Sequence, residues 1–254
     1  GKIMNGEGKM EKAQVGLLGL MLDLYDLMPD LKPKMAEFAE ELVETLSPFA
    51  DVDFPGVCNS REQVDAALRG FEAADKDLIL VVLLTYAPSH IALPALLRTS
   101  LPVVIFNTQQ LEAVTQDVKG PQTTENHGMH GVQDLCNVLL RAGRKVRLVT
   151  GHYKDEQALA DVEAWCRASR AVRALRRMRI GLLGYPMEGM GDFGVDETAF
   201  LAQIGVEVHH LAMREVGRRA KEAPKKEIER QMAEDRDHFE IEAGVTEIEH
   251  EAGS

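Results

Sequence analysis

Asp77-Leu78-Ile79-Leu80-Val81-Val82-Leu83-Leu84 decides the fold: one carboxylate, then seven aliphatic residues in a row. A strand with one wet face would alternate apolar and polar residues. A short unbroken aliphatic run has no polar face, so both of its faces must be covered. That describes a central strand of a parallel sheet with helices on either side. The same texture recurs at residues 13–20, 102–106, 145–151, 178–184 and 206–211.

Helix-period segments lie between these runs. Residues 32–46 place Met35, Phe38, Ala39 and Leu42 on one stripe. Residues 60–71 open with Ser60 as an N-cap and Gln63 at the capping-box spacing. Residues 155–173 read as a further helix, and residues 213–239 as one long charged helix. Strand–helix alternation specifies an α/β fold with a mostly parallel sheet.

Two tetrapeptides echo each other. Gly16-Leu17-Leu18-Gly19 and Gly181-Leu182-Leu183-Gly184 each follow a β-branched residue and open a loop. Each reads as the first strand of an α/β unit. The connection between them ends in Arg170, Arg173, Arg176 and Arg177. The expected division is therefore an N-terminal α/β domain over residues 1–174 and the start of a second, incomplete α/β domain over residues 175–254.

The formal net charge of −12 argues against nucleic-acid or anionic-membrane partners. No apolar run approaches the ~20 residues of a spanning helix. Residues 1–11 are polar and lack the apolar centre of a secretory leader, so a cytoplasmic location is expected. Cys58, Cys136 and Cys166 form no CxxC pair and read as structural thiols in a reducing compartment.

Ligands of an open parallel sheet bind beyond the carboxyl ends of the strands. That rule selects Met21, Asp23 and Tyr25, then Thr85 and Tyr86, then Asn107, Thr108 and Gln109, and lastly Gly151 and His152. Hydroxyls and amides dominate the set, which suits a neutral polyol. Gly16–Gly19 lacks the GxGxxG spacing and no GxxxxGK[ST] occurs, so no nucleotide cofactor is expected. Asn126-His127-Gly128-Met129-His130-Gly131 precedes an apolar helix expected over residues 132–140. Its histidines can hydrogen-bond sugar hydroxyls, serve as loop and cap residues, or form a metal pair; no carboxylate stands near them at a ligand spacing. His209 and His210 fall in a strand, where one must face inward. No acid/base pair is presented in one place, so no catalytic residue is assigned.

With these segments in view, residues 77–214 resemble the N-terminal region of L-arabinose isomerases and, more loosely, of L-fucose isomerases. Phe106-Asn107-Thr108-Gln109 is similar to the family's F/H-T-Q segment after a strand. His130-Gly131 is similar to a loop ending His-Gly-Gly, and Gly184-Tyr185-Pro186-Met187 to a G-D-N-M turn. Val149-Thr150-Gly151-His152-Tyr153-Lys154-Asp155-Glu156-Gln157 resembles V-T-G-H-W-x-D-x-Q, followed by Trp165. The resemblance implies a Rossmann-like first domain, a second α/β domain and a homo-oligomer with active sites between subunits. It implies a pentose or 6-deoxyhexose substrate, isomerised through an enediol. His130 would reach the sugar in a neighbouring subunit, and Met187 would line the pocket. Together with His127, Tyr25 and Gln109 these are the candidate substrate-binding residues. Mn²⁺ is implied for the full-length enzyme. Its ligands come later in the family's chain, so no metal is expected on these residues. The chain departs from the family at Leu20-Met21-Leu22, where Ser-Gln-His is usual, and at His127, where Gln is usual. A non-catalytic sugar-binding receptor or regulatory domain is the alternative reading.

Overall fold

A computed structural model describes residues 12–192, 194–242 and 244–246. The N-terminal stretch read above for a leader lies outside them. The chain divides into two compact units, Gly1–Ala174 and Leu175–Ser254.

The first unit runs β1 (Ala13–Leu20), α1 (Leu31–Leu46), β2 (Ala50–Asp53), α2 (Arg61–Ala73), β3 (Leu78–Leu83), α3 (Leu93–Arg98), β4 (Val103–Asn107), α4 (Gly120–Glu125), α5 (Gly128–Arg141), β5 (Arg147–Thr150) and α6 (Glu156–Arg176). Its sheet has the order β2-β1-β3-β4-β5 with every pair parallel. β1 and β3 are in register from Val15 opposite Leu78 to Leu20 opposite Leu83.

Successive strand residues point to opposite faces, and the core divides accordingly. Leu17, Leu78, Leu80, Val82, Val104 and Phe106 pack with Met35, Phe38 and Leu42 of α1 and with Val162 and Cys166 of α6. Leu18, Ile79, Val81, Leu83, Val103 and Ile105 pack on the other face with Val64, Leu68 and Phe71 of α2 and with Val132, Leu135 and Leu139 of α5. All six residues of β3 are buried, as its aliphatic run requires. This is a five-stranded, doubly wound, Rossmann-like α/β domain.

β2 has no counterpart among the aliphatic runs. Ala50-Asp51-Val52-Asp53 is a short edge strand with two carboxylates, and two of its four positions are exposed. β5 is the other edge, and only Val149 of its four residues is buried. The expectation of two covered faces fails there: among the described residues β5 is an edge strand, and only its Val149 side is packed on the core. Ser60 caps α2 as expected, its hydroxyl accepting from the Gln63 amide at 3.4 Å. The reciprocal bond is displaced by one residue: Gln63 Oε1 accepts from the Asn59 amide at 2.8 Å.

The second unit contains β6 (Arg179–Leu183), α7 (Glu197–Ile204), β7 (Glu207–Leu211), α8 (Met213–Glu222) and α9 (Lys225–His238). β6 and β7 form a parallel pair from Arg179 opposite Glu207 to Leu183 opposite Leu211. Every residue of β6 is exposed. Both strand histidines are exposed as well, which corrects the inward-facing expectation; His209 meets Glu207 and His210 meets Glu197. The long charged helix is two helices. Pro224 lacks an amide hydrogen and disfavours helical backbone before it, and Ala223 is extended at φ −61° and ψ 130°.

Candidate site at the sheet switch point

In the order β2-β1-β3-β4-β5 the chain leaves β1 for one neighbour and returns on its other side to β3. The crevice at the carboxyl ends of β1 and β3 is therefore the topological switch point. α5 begins against it. Gly128 stands so close to β3 that a Cβ there would lie 2.2 Å from the Leu83 carbonyl oxygen. At Gly131 a Cβ would lie 2.9 Å from the Ala87 carbonyl oxygen. No other residue fits either position without moving the helix. The close approach expected of these glycines is real, and it is made to the chain's own strand and loop.

The helix starts four residues earlier than expected, at Gly128. The Asn126–Gly131 segment is therefore its N-cap and first turn. His127 is the N-cap residue, without a side-chain cap bond, and is half-buried; His130 is exposed. Their ring centroids lie 4.5 Å apart, edge to face. Tyr86, from the loop after β3, has its ring centroid 5.8 Å from that of His127. The histidines and the tyrosine thus make a three-ring cluster at the switch point.

Tyr25 sits in the 3-10 turn Asp23–Leu27 after β1, half-buried against the α1 face of the core. Gln109 follows β4, and its Nε2 donates to the Leu111 carbonyl at 2.8 Å. Met187 belongs to the second unit, in the turn after β6, and is 68% exposed. Of the five sequence candidates, His127 and His130 are the two in direct ring contact.

Other strand-end groups are already engaged. Thr85 is fully buried and its hydroxyl donates to the Thr124 carbonyl at 2.7 Å, pinning the end of α4 to β3. Asn126 accepts from the Leu111 amide and donates to the Gln122 carbonyl, each at 2.8 Å. Lys34 of α1 pairs with Glu125 at 2.8 Å, and this partner raises the lysine pKa. Thr108 is the exception: its hydroxyl is buried and has no hydrogen-bond partner among the described residues. The roles of Tyr86 and Asn126 escaped the sequence reading. Both residues stand in segments it had marked, but their partners come from distant parts of the chain.

Two thiols behave as structural residues. Burial pushes Cys58 up to about 11 and Cys166 up to about 12. Among the described residues, no group of three or more His, Cys, Asp or Glu is gathered closely enough to hold a metal ion. A two-histidine pair without a carboxylate is a poor fit to Mn²⁺, which favours oxygen ligands. The residues present do not fit that metal, and no chemistry is routed through it. No helix among the described residues is long and apolar enough to cross a membrane.

Comparison with known proteins places the chain in a family. A family model described as the L-arabinose isomerase N-terminal domain matches residues 23–177. L-arabinose isomerase of Shewanella sp. (strain ANA-3) is 22% identical over 213 residues, covering 81% of this chain and 42% of the relative. The enzymes of Vibrio parahaemolyticus and Salmonella arizonae are 22% and 24% identical, covering 74% and 73% of this chain and 39% and 38% of their own lengths. The chain thus spans about two fifths of the curated relatives it matches. A solved structure of a gut microbial diltiazem-metabolizing enzyme aligns with a TM-score of 0.30 at 10% identity, over 63% of this chain and 40% of its own, too low to bear on fold or function. With the matched residues spanning most of the first unit, the chain belongs to the L-arabinose isomerase N-terminal domain family.

Proposed function

We propose that this chain forms the sugar-facing N-terminal part of an aldose–ketose isomerase acting on a pentose or a 6-deoxyhexose. The observation that carries the reading is the Tyr86–His127–His130 cluster at the switch point of a family member. Imidazole nitrogens and a phenol can exchange hydrogen bonds with sugar hydroxyls, and the ring faces can take the apolar face of a pyranose. Gln109 and Tyr25, and separately Met187 of the second unit, are kept as candidate substrate-binding residues. Mn²⁺ and the proton-transfer groups are assigned to residues other than those described. The active site is assigned to an interface between subunits of a homo-oligomer, with His130 offered to the neighbour. Three free thiols support a reducing compartment, and we place the protein in the cytoplasm.

A second reading is a non-catalytic sugar-binding regulator: among the described residues no group of three or more His, Cys, Asp or Glu could hold a metal ion. Titration of the chain with L-arabinose, L-fucose and D-glucose, followed through the Tyr86, His127 and His130 ring resonances, tests both. The isomerase reading expects weak binding, with Kd about millimolar, lost in His130→Ala. A metal-free Kd of about micromolar or tighter supports the regulator. Rings unmoved by any of the sugars overturn both.

A further inference from the structure

We infer that His152 is a positioning residue for the rim of this site: it fixes the loop after β4 that carries Gln109 and leads to His127. What the rim binds rests on the function proposed above; the positioning itself does not.

The imidazole lies between two backbone groups of fixed polarity. The Lys154 amide can only donate, and it approaches Nδ1 at 3.3 Å. The Gln110 carbonyl can only accept, and it lies 3.2 Å from Nε2. One ring form satisfies both: a bare Nδ1 and a hydrogen on Nε2. His152 therefore ties the end of β5 to the loop following β4. Phe106 to Asn107 and Val149 to Thr150 already lie side by side in the sheet, so the tie starts from a rigid base.

From Gln110 the connection continues. Gln109 Nε2 donates to the Leu111 carbonyl at 2.8 Å, using the amide nitrogen and not its oxygen. The Leu111 amide donates to Asn126 Oδ1 at 2.8 Å, across fifteen residues. Asn126 is joined directly to His127. Two hydrogen bonds and short lengths of backbone thus link the β5 end to the N-cap histidine. α5 itself is held by the Gly128 contact with β3. His152 acts on what surrounds the histidines, not on the helix that bears His130.

Nitrogen-15 spectra of the sugar-free protein should show His152 with its hydrogen on Nε2. His152→Phe keeps a ring but removes both bonds; hydrogen exchange at the Leu111 amide should rise about tenfold, with β3 amides unchanged. His152→Gln carries its amide nitrogen near the position of the imidazole Nε2, can donate to Gln110, and should restore protection at Leu111. A hydrogen on Nδ1 in the unaltered protein, or a Leu111 amide still protected in His152→Phe, overturns the proposal. If His152→Phe exposes β3 amides as well, the ring form and the His152→Gln rates decide alone: protection retained in His152→Gln supports it, protection lost overturns it. A sugar titration separates the two levels. Affinity lost in His152→Phe and recovered in His152→Gln supports both. Leu111 responding as stated while no form binds sugar supports the positioning and overturns the sugar reading.

Discussion

The tetrapeptide Gly-Leu-Leu-Gly occurs in β1 and again at the end of β6, and the two copies live differently. In β1, Leu17 and Leu18 are wholly buried on opposite faces. A Cβ on Gly16 would lie 2.5 Å from the Phe71 ring. In β6, Leu182 and Leu183 are 39% and 48% exposed. Gly184 turns out of the strand at φ +90° with open space around it. Identical local sequence thus gives a buried strand in a five-stranded sheet with helices on both faces, and an exposed one where, among the described residues, one partner strand lies beside it. A strand's own residues state what it can tolerate; its neighbours determine what it experiences.

The comparison breaks most sharply at leucines. Leu80→Ala in β3 should cost about 2–5 kcal/mol, whereas Leu182→Ala in β6 should cost about 1 kcal/mol or less. Urea unfolding followed residue by residue would show both; similar losses would end the contrast. Glycines come next. Gly16→Ala forces a methyl into the Phe71 ring and should cost about 1–3 kcal/mol. Gly184→Ala meets no atom and should cost about 1–2 kcal/mol, from left-handed backbone alone. A relaxed Phe71 rotamer in a structure of Gly16→Ala would separate crowding from strain.

The cysteines sharpen the comparison from another side, because all three lie in the first unit. A thiol pushed from its ordinary 9.0 up to about 11 loses about 100-fold of its thiolate at pH 8, so Cys58 should react at least that much more slowly than in the unfolded chain, and Cys166 more slowly still. Labelling rates then report opening of the first unit with no signal from the second. Both groups keep a proton in the folded chain that the unfolded chain releases. The stability they contribute is complete below the unfolded thiol pKa and is lost as pH rises through about 11 and 12. Urea midpoints should fall less steeply with rising pH in the Cys58→Ala, Cys166→Ala double variant.

The smallest effect belongs to α8. Arg218 and Arg219 hold the Glu215 carboxyl below its ordinary pKa through exposed pairs one turn apart. Their contribution is present above the unfolded glutamate pKa and is lost as pH falls through the lowered value. Arg218→Ala should leave the unfolding midpoint unchanged in high salt and lower it slightly in low salt. A change insensitive to salt would point to packing instead.

Much of the first unit could be read before the structure because burial on two faces leaves an aliphatic signature, as in β1, β3 and β4. β2 left none: a four-residue edge strand with two aspartates needs only one neighbour. Pro224 is visible in the sequence, but the unbroken charge of residues 213–239 masks the break it makes. At the site, the Asn126–Gly131 segment announced itself through two histidines and two glycines. That the glycines press on Leu83 and Ala87, or that Asn126 captures the Leu111 amide, depends on chain crossings that no spacing records. Tyr86 gained meaning only when β3 delivered it beside α5.

The seating of α5 has a consequence for anyone wishing to rebuild this protein. The glycines at 128 and 131 register the histidine-bearing turn to the sheet, and Leu111 and Gln122 anchor the two ends of the connection before it. Residues 112–119 lie between those anchors and form a graft point. Doubling such a connection costs about 0.6 kcal/mol of closure entropy. New recognition loops could be exchanged there like tool heads on a fixed mount, with the two imidazoles keeping their position while the chemistry above them changes.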